Sequence, residues 1–472
     1  MTFSLWPQRP PRRARSPVSL AITLFVTGRA SSIAAQPGLP PEEGETHLRA
    51  LTVPGGLTSD EVARRAVTAS PDIQGRLAGA EAASAREDQA KAELWPRLSL
   101  SARYTRLSPI DPPMFPGGGR FPVFLNNYAV NGSLSVPVSD YLLRLSRSTR
   151  AAARSVAAAK LDAEATRRKV AADARLVYYD WIRARGQLLV LEQRAETART
   201  QVHDVERLFQ EGVVSRADLL AAQSQLKSVE LAQVRARQIE SLSAARLRVL
   251  MHDGEEAKYQ IGEDVLAALP PVPDLEKVDA LMDEARGQRP ELSALREIEA
   301  AAQEAVKLAG IARWPRLDLV GNVAYANPNQ RIFPPRQQWD TTWDAGVLLS
   351  YVPTDRPGAN AREREQLARV RELGAQRAAL IDGLRLEVQE ATNAVRAATA
   401  ALETAQQGVV AAQEGYRVRR ELFRAGRATL LEVTSAETEL MQARLELVNA
   451  HVEARQARVR LARSVGRDGS RG

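Results

Sequence analysis

The chain has 472 residues, of which 44% are hydrophobic, 5% aromatic and 26% charged. This is the balance of a folded protein, spread over more length than one ordinary core fills. The chain contains no cysteine, which excludes disulfides, thiolate nucleophiles, cysteine-ligated metals and the lipidated cysteine of some exported proteins. Its four histidines show no metal-ligand spacing, so the sequence predicts neither a metal nor a cofactor.

The first 35 residues have the features of a secretory signal. An arginine-rich stretch ends at Arg15, an apolar run covers 18–26, and Ala34 and Ala35 precede Gln36. Without this segment 60 basic residues face 57 acidic ones, so the net charge of +8 gives little support to a nucleic-acid partner. A disordered basic tail is the alternative, but it does not explain the apolar run. Beyond this segment the sequence has no run of eighteen apolar residues, so it predicts no transmembrane helix.

The rest of the chain repeats itself. The segments 70–73 and 289–292 are 219 residues apart, and so are Trp95-Pro96 and Trp314-Pro315. A constant offset over that length indicates a duplication. The predicted organisation is a signal peptide at 1–35, an N-terminal extension at 36–56, a first repeat at 57–251, an equatorial linker at 252–277, a second repeat at 278–466 and a tail at 467–472.

Each predicted repeat contains the same elements in the same order. It begins with an alanine-rich helical run, over about 58–94 in the first repeat and 275–313 in the second. After each Trp-Pro pair the apolar period becomes two, which predicts strands at about 97–105, 128–136, 316–325 and 342–352. A helical hairpin follows, which turns near Gly212 in the first repeat and near Gly426 in the second.

The helical hairpins carry the strongest pattern in the chain. Apolar residues step by four and three from Val170 to Phe209, and the same lattice recurs 214 residues later, where only Arg419 is charged. This pattern is a heptad seam and predicts left-handed supercoiling. A helix over 140–211 would be roughly 108 Å long, which exceeds the size of a compact domain.

The four predicted strands have the length and pattern of strands that cross a membrane. Each alternates apolar and polar residues over about nine positions, and most end in Tyr or Trp. Four strands cannot close a membrane barrel, so several copies of the chain would have to pool their strands around a polar lumen. A soluble sheet with one face on a core would show the same alternation.

Two turn motifs and the duplicated frame resemble the TolC-like family of outer-membrane efflux proteins, the outer membrane factors. The first motif runs from Leu208-Phe209 through Gly212 to Asp218-Leu219, and the second from Leu422-Phe423 through Gly426 to Glu432-Val433. The resemblance covers about residues 57–466.

The resemblance implies an α+β membrane protein built as a duplicated helix, β-hairpin and long coiled-coil helical hairpin. It implies a homotrimer whose twelve-stranded β-barrel, in outer-membrane lipid, continues into a periplasmic α-helical barrel. The implied function is the outer-membrane exit duct of a tripartite efflux pump, which exports small molecules with a periplasmic adaptor (membrane fusion) protein and an inner-membrane transporter. The implied location is the outer membrane of a Gram-negative cell, with a large periplasmic portion.

By the same resemblance, the two turns form the periplasmic tip, where the tunnel narrows and the adaptor docks. Asp218 and Glu432 would place rings of carboxylates at this aperture, where they would favour cations. Helix capping explains the same two acids equally well. Phe209 and Phe423 lie on the heptad lattice and are expected in the core. The predicted tip residues are Phe209, Gly212, Asp218, Leu219, Phe423, Gly426, Thr429, Glu432 and Val433, and the predicted helix-to-strand switch consists of Trp95, Pro96, Trp314 and Pro315.

Two further functions stay open at this point. The exported cargo could be protein, as in type I secretion, or the chain could be a periplasmic coiled-coil adaptor, which would not need four strands with aromatic ends. The sequence does not support an enzymatic function, because it has no nucleophile elbow, phosphate-binding loop or zinc-protease motif.

Overall fold

The computed structural model describes residues 52–109, 123–272 and 277–467. The predicted signal peptide and most of the N-terminal extension lie outside these residues. The strands are β1 (Thr52–Leu57), β2 (Arg97–Arg106), β3 (Asn126–Val136), β4 (Arg316–Asn327) and β5 (Asp340–Ser350). The helices are α1 (Ser59–Ala69), α2 (Pro71–Ala92), α3 (Ser146–Gln210), α4 (Arg216–Met251), α5 (Val278–Gln288), α6 (Pro290–Ile311), α7 (Arg356–Arg424) and α8 (Leu430–Val465). None of these described helices is both long and apolar enough to cross a membrane.

The helical run before each sheet hairpin is broken into two helices, which corrects the prediction of one run. The first break lies at Ser70, whose side-chain oxygen accepts a hydrogen bond from the backbone N–H of Ile73. Pro71 then opens α2, because a proline has no N–H to donate and fits the first helical position. Pro290 opens α6 in the same way.

The two long helices, α3 and α7, contain 65 and 69 residues, so each is roughly 100 Å long at 1.5 Å per residue. The first is preceded by a short α-helical turn, Val138–Asp140, and a π-helical turn, Tyr141–Leu145, rather than continuing as one helix from Asp140. The predicted heptad seam of α3 is buried at Ala174, Trp181, Ala184, Leu188, Ala195, Ala198, Val202 and Val205.

The duplication is visible in two equivalent hydrophobic cores. In the first, Val62 of α1 packs with Trp181 of α3 and Met251 of α4. In the second, Leu281 of α5 packs with Val395 of α7 and Val465 of α8. The two sets are related by the offsets of 219 and 214 that the sequence shows. Each core therefore ties a short helix to the middle of a long helix and to the end of its hairpin partner.

Strands β2 to β5 form one antiparallel sheet in sequence order. The central pairing joins the two repeats, with Val130 of β3 opposite Tyr325 of β4. Strands β2 and β5 are the edges of this sheet among the described residues. Strand β5 ends before Val352, because Pro353 opens a short 3-10 turn. The sheet therefore has two edges whose outward backbone groups need partners.

The two faces of the sheet differ in chemistry. One face carries large apolar side chains that are exposed in the single chain, namely Leu98, Leu100, Tyr104, Val130, Leu134, Leu317, Leu319, Val323, Tyr325, Trp343, Val347 and Leu349. We call this the apolar face. The opposite face carries many polar residues, among them Ser99, whose hydroxyl is 2.7 Å from that of Ser133. We call this the polar face.

Candidate functional site: the hairpin turns and their support

The two hairpin turns have the same backbone geometry. At the first, the N–H of Gly212 donates to the carbonyl of Phe209 (3.0 Å), and the N–H of Val213 donates to that of Leu208 (2.9 Å). At the second, Gly426 and Arg427 repeat both hydrogen bonds, at 2.9 and 2.8 Å. This is the Schellman ending of a helix, which requires a left-handed residue. Gly212 has φ of 75° and Gly426 has φ of 69°, and glycine adopts such angles without steric cost.

Each turn leads into a helix that begins with a capping box. At α4, the N–H of Ser215 donates to the carboxylate of Asp218 (3.0 Å), and the N–H of Asp218 donates to the hydroxyl of Ser215 (3.2 Å). At α8, Thr429 and Glu432 exchange the same two hydrogen bonds, at 2.6 and 3.3 Å. Both acids therefore satisfy backbone donors at a helix start.

The hydrogen bonds of the capping boxes also change the acidity of these two carboxyls. The hydroxyl and the N–H of Ser215 hold the pKa of Asp218 below its usual value. The N–H of Thr429, followed by its hydroxyl, does the same for the pKa of Glu432. Of the two roles that the sequence left open, the geometry supplies the capping one. A role in an aperture stays a prediction.

The turns present apolar side chains to solvent in the single chain. Val213, Leu220 and Leu431 are exposed. Phe209 is 38% exposed, so the expectation that it belongs to the core is wrong for this chain alone. Val433 is buried and fixes the first turn of α8 against its neighbours.

Behind the turns, a row of polar contacts joins α3 of the first repeat to α8 of the second. The amide of Gln187 donates to Asn449 (2.8 Å), and Arg183 donates to Gln456 (2.8 Å). Closer to the tip, the amide of Gln201 donates to the carboxylate of Glu437. The two hairpins are therefore fastened to each other along much of their length.

Glu437 also forms a buried ion pair that sequence reasoning did not identify. Arg194 pairs with Glu437, and their side chains are 4% and 6% exposed. In the sequence, each residue looks like one more charge on a helix that is rich in charges. Only the antiparallel contact of α3 with α8 brings the two together.

The predicted helix-to-strand switch connects the helices to the sheet. Helix α2 ends at Ala92 and β2 begins at Arg97, with Trp95 and Pro96 between them. Trp314 and Pro315 occupy the same position between α6 and β4. Both tryptophans are largely exposed, at one level of the molecule, next to the end of the sheet. Exposed tryptophans at such a level are typical of a membrane interface.

Among the described residues, no cluster of histidine and carboxylate side chains could hold a metal ion. The features described so far are the duplicated turns, the buried interhelical contacts and the two-faced sheet.

Several solved membrane-protein structures are similar to this chain in fold. The chain is similar to CmeC, the outer membrane channel of Campylobacter jejuni, with 17% identity, a TM-score of 0.75 and coverage of 95% of this chain and 94% of that one. It is similar to VceC, an outer membrane protein of Vibrio cholerae, with 18% identity, a TM-score of 0.72 and coverage of 86% and 96%. It is also similar to the open state of the MtrE channel of Neisseria gonorrhoeae, with 15% identity, a TM-score of 0.71 and coverage of 87% and 89%. No curated protein matches the chain significantly.

The sequence itself matches the model of one family, described as outer membrane efflux protein, over residues 62–251 and 281–467. The two matched stretches correspond to the two repeats. The chain belongs to this family, which confirms the resemblance. The predicted order of helix, β-hairpin and long helical hairpin in each repeat is confirmed as well. It is an outer-membrane protein with a large periplasmic helical portion, and it serves efflux.

Proposed function

We propose that the protein is the outer-membrane exit duct of a tripartite efflux pump, which carries small molecules out of the cell. In this proposal three copies assemble around one axis, and their sheets join edge to edge into a closed twelve-stranded pore through the outer membrane. The long helices continue this pore into the periplasm. An adaptor protein and an inner-membrane transporter supply the cargo and the energy.

The observation that carries this proposal is the sheet. Its four strands of 10 to 12 residues have the length of strands that cross a bilayer. Its apolar face is exposed in the single chain, and its edge strands β2 and β5 have unpaired outward sides among the described residues. In lipid, an unpaired edge is too costly to survive. Pairing β5 of one copy with β2 of the next removes both edges at once.

The helices support the same proposal. Rods roughly 100 Å long are stable only when neighbours cover them. Helix α4 leaves a stripe of apolar side chains exposed, consisting of Leu220, Leu231, Val234, Ile239, Leu242 and Val249. A second copy of the chain placed beside α4 would cover that stripe. The unpaired edges of the sheet also require a second copy.

The hairpin turns are the proposed periplasmic aperture and the proposed contact for the adaptor. The apolar Val213 and Leu431 project from them into solvent, and the carboxylates of Asp218 and Glu432 lie beside them. In a trimer these acids would form two rings of three charges around the opening. Such rings favour cations.

The test is to express the full-length chain in a Gram-negative host, fractionate the membranes and record single channels from the purified protein in planar bilayers. We expect a heat-modifiable trimer in the outer-membrane fraction and discrete, cation-preferring conductance. A soluble monomer without conductance would overturn the proposal in favour of a periplasmic adaptor. In a host that lacks its own exit duct, restored resistance to toxic compounds would distinguish small-molecule cargo from protein cargo.

A further inference from the structure

The connection between β4 and β5, residues 328–339, folds back over the sheet instead of extending away from its rim. The amide of Asn329 donates to the carbonyl of Asp340 (3.0 Å) and to the hydroxyl of Thr342 (3.2 Å). Asn329 is only 3% exposed. Farther along the connection, a guanidinium nitrogen of Arg331 lies 2.6 Å from the carboxylate of Asp344. Asp344 is four residues into β5, about 13 Å from the rim of the sheet.

The residues that contact Asn329 and Arg331 belong to the polar face of β5. Side chains alternate between the two faces of a strand, so Asp340, Thr342 and Asp344 share one face while Trp343 and Val347 point to the other. Ala326 of β4 pairs with Asp340 and lies on the polar face as well. It is 8% exposed, as expected for a residue beneath a covering segment.

The contact of Arg331 is part of a small network. Asp344 also accepts a hydrogen bond from the amide of Asn322, its cross-strand partner on β4 (2.8 Å). Nearer the rim, two nitrogens of Arg336 lie 2.9 and 2.8 Å from the oxygens of Asp340. The connection is thus fastened to the polar face at an inner and an outer point.

The far end of the connection is anchored on the other side of the sheet. The ring of Trp339 stacks on Tyr325 with centroids 4.7 Å apart, and it lies 6.1 Å from the ring of Tyr128. The connection therefore begins on the polar face, crosses the rim and ends on the apolar face. Two separate anchors fix its course.

From this geometry we propose that residues 328–339 form a collar inside the outer mouth of the pore, and that the Arg331–Asp344 ion pair holds this collar in place. The inference rests on the proposed function, since the polar face lines the pore only in the assembled duct. Three copies would place three such collars around the exit. Cargo that leaves the cell would then pass the guanidinium of Arg331 and the carboxylate of Asp344 in each copy, so these residues limit the size and charge of what exits.

The absence of cysteine from the chain allows a direct test with single-cysteine reporters. Ala326→Cys reports access to the polar face beneath the collar. Phe333→Cys, at a residue that is 79% exposed within the connection, reports whether the collar is reachable from outside. Each reporter is expressed in the full-length chain, and intact cells are treated with a membrane-impermeant thiol reagent. Trimer assembly is checked by heat-modifiable migration on gels.

The ion pair is then altered in the Ala326→Cys background. Arg331→Ala and Asp344→Ala each remove one partner, and the exchange of both charges (Arg331→Asp with Asp344→Arg) rebuilds the pair. Arg103→Ala is the matched control, because Arg103 lies in the same cross-strand row of the polar face as Ala326 but on β2. We expect each single change to accelerate labelling up to about fivefold, the effect of losing a half-exposed ion pair.

We also expect the exchanged pair to restore slow labelling and Arg103→Ala to leave the rate unchanged. Equal labelling of the parent and Arg331→Ala in assembled trimers would overturn the inference, and so would an equal acceleration by Arg103→Ala. Failure of the proposed function would give a different set of results from failure of the collar inference. In that case Phe333→Cys is not labelled on intact cells, and the purified protein shows no conductance.

Discussion

Arg194 of α3 and Glu437 of α8 form an ion pair that is almost fully removed from water and that joins the first repeat to the second. Because burial makes an unpaired charge costly, each of the two residues depends on the other. The pair joins the two hairpins, so its loss would weaken the contact between them.

We therefore expect Glu437→Ala to lower the free energy of unfolding by about 3 to 5 kcal/mol, since it leaves Arg194 buried without its partner. Thermal unfolding of the detergent-solubilised protein measures this. Replacing both residues, Arg194→Met with Glu437→Leu, should recover most of the loss. Glu414→Ala is the control, because the Arg417–Glu414 pair is exposed, and it should change little. Equal losses of stability for Glu437→Ala and Glu414→Ala would contradict the prediction.

The left-handed glycines of the turns give a second prediction. Gly212→Ala and Gly426→Ala should each destabilise the protein by about 1 to 2 kcal/mol, because a side chain is strained at positive φ. Gly383, inside α7, is the matched control, since an added methyl group meets no atom within 4 Å there. Gly383→Ala should stabilise the helix by up to about 1 kcal/mol. Chemical denaturation of the three variants compares them, and a stabilised Gly212→Ala variant would contradict the assignment.

The capping boxes predict a loss of local stability in acid. The folded-state pKa of Asp218 and of Glu432 lies below the usual value, so each carboxylate contributes stability above that value. The contribution is lost as the pH falls through the lowered pKa. Amide hydrogen exchange at Ser215 and Thr429, corrected for intrinsic rates, should therefore lose protection progressively as the pH falls below about 4. Asp218→Asn should flatten this dependence at Ser215 and leave it intact at Thr429.

The N-caps themselves can be tested separately from the acids. Ser215→Ala and Thr429→Ala each remove the hydroxyl that accepts the N–H three residues later, and each should cost about 1 kcal/mol. Ser215→Asn keeps an acceptor at this position and should cost far less. Denaturant unfolding curves of the variants provide the measurement, and an equal loss for Ser215→Ala and Ser215→Asn would argue against a capping role.

The two faces of the sheet predict opposite responses to a charge. Leu100→Arg places a guanidinium on the apolar face and should cost about 2 to 4 kcal/mol in the membrane. Ser101→Arg, one residue along β2, places the same group on the polar face and should be tolerated. The yield of trimer in the outer-membrane fraction measures both. If both variants assemble equally well, the apolar face does not meet lipid.

Much of this fold could be predicted from the sequence, because its signals are local and occur twice. The alternation in the four strands, the heptad seam through Trp181 and the glycines at 212 and 426 depend only on chain periodicity and backbone geometry. The offset of 219 residues between the two Trp-Pro pairs could be counted directly, and the structure shows the duplication as a pair of equivalent cores.

Contacts between residues distant in sequence could be decided only by the tertiary structure. Nothing near Glu437 in the sequence indicates that a buried arginine from the other repeat will meet it, since a charge on a helix is usually solvated. The exposure of Phe209 also depends on how the tip packs against its neighbours. Likewise, the alternation in β5 places Asp344 on the polar face, but only the folded course of residues 328–339 brings Arg331 to it. Periodicity fixes which face a side chain takes, whereas the partner it meets there depends on how separate elements pack in three dimensions.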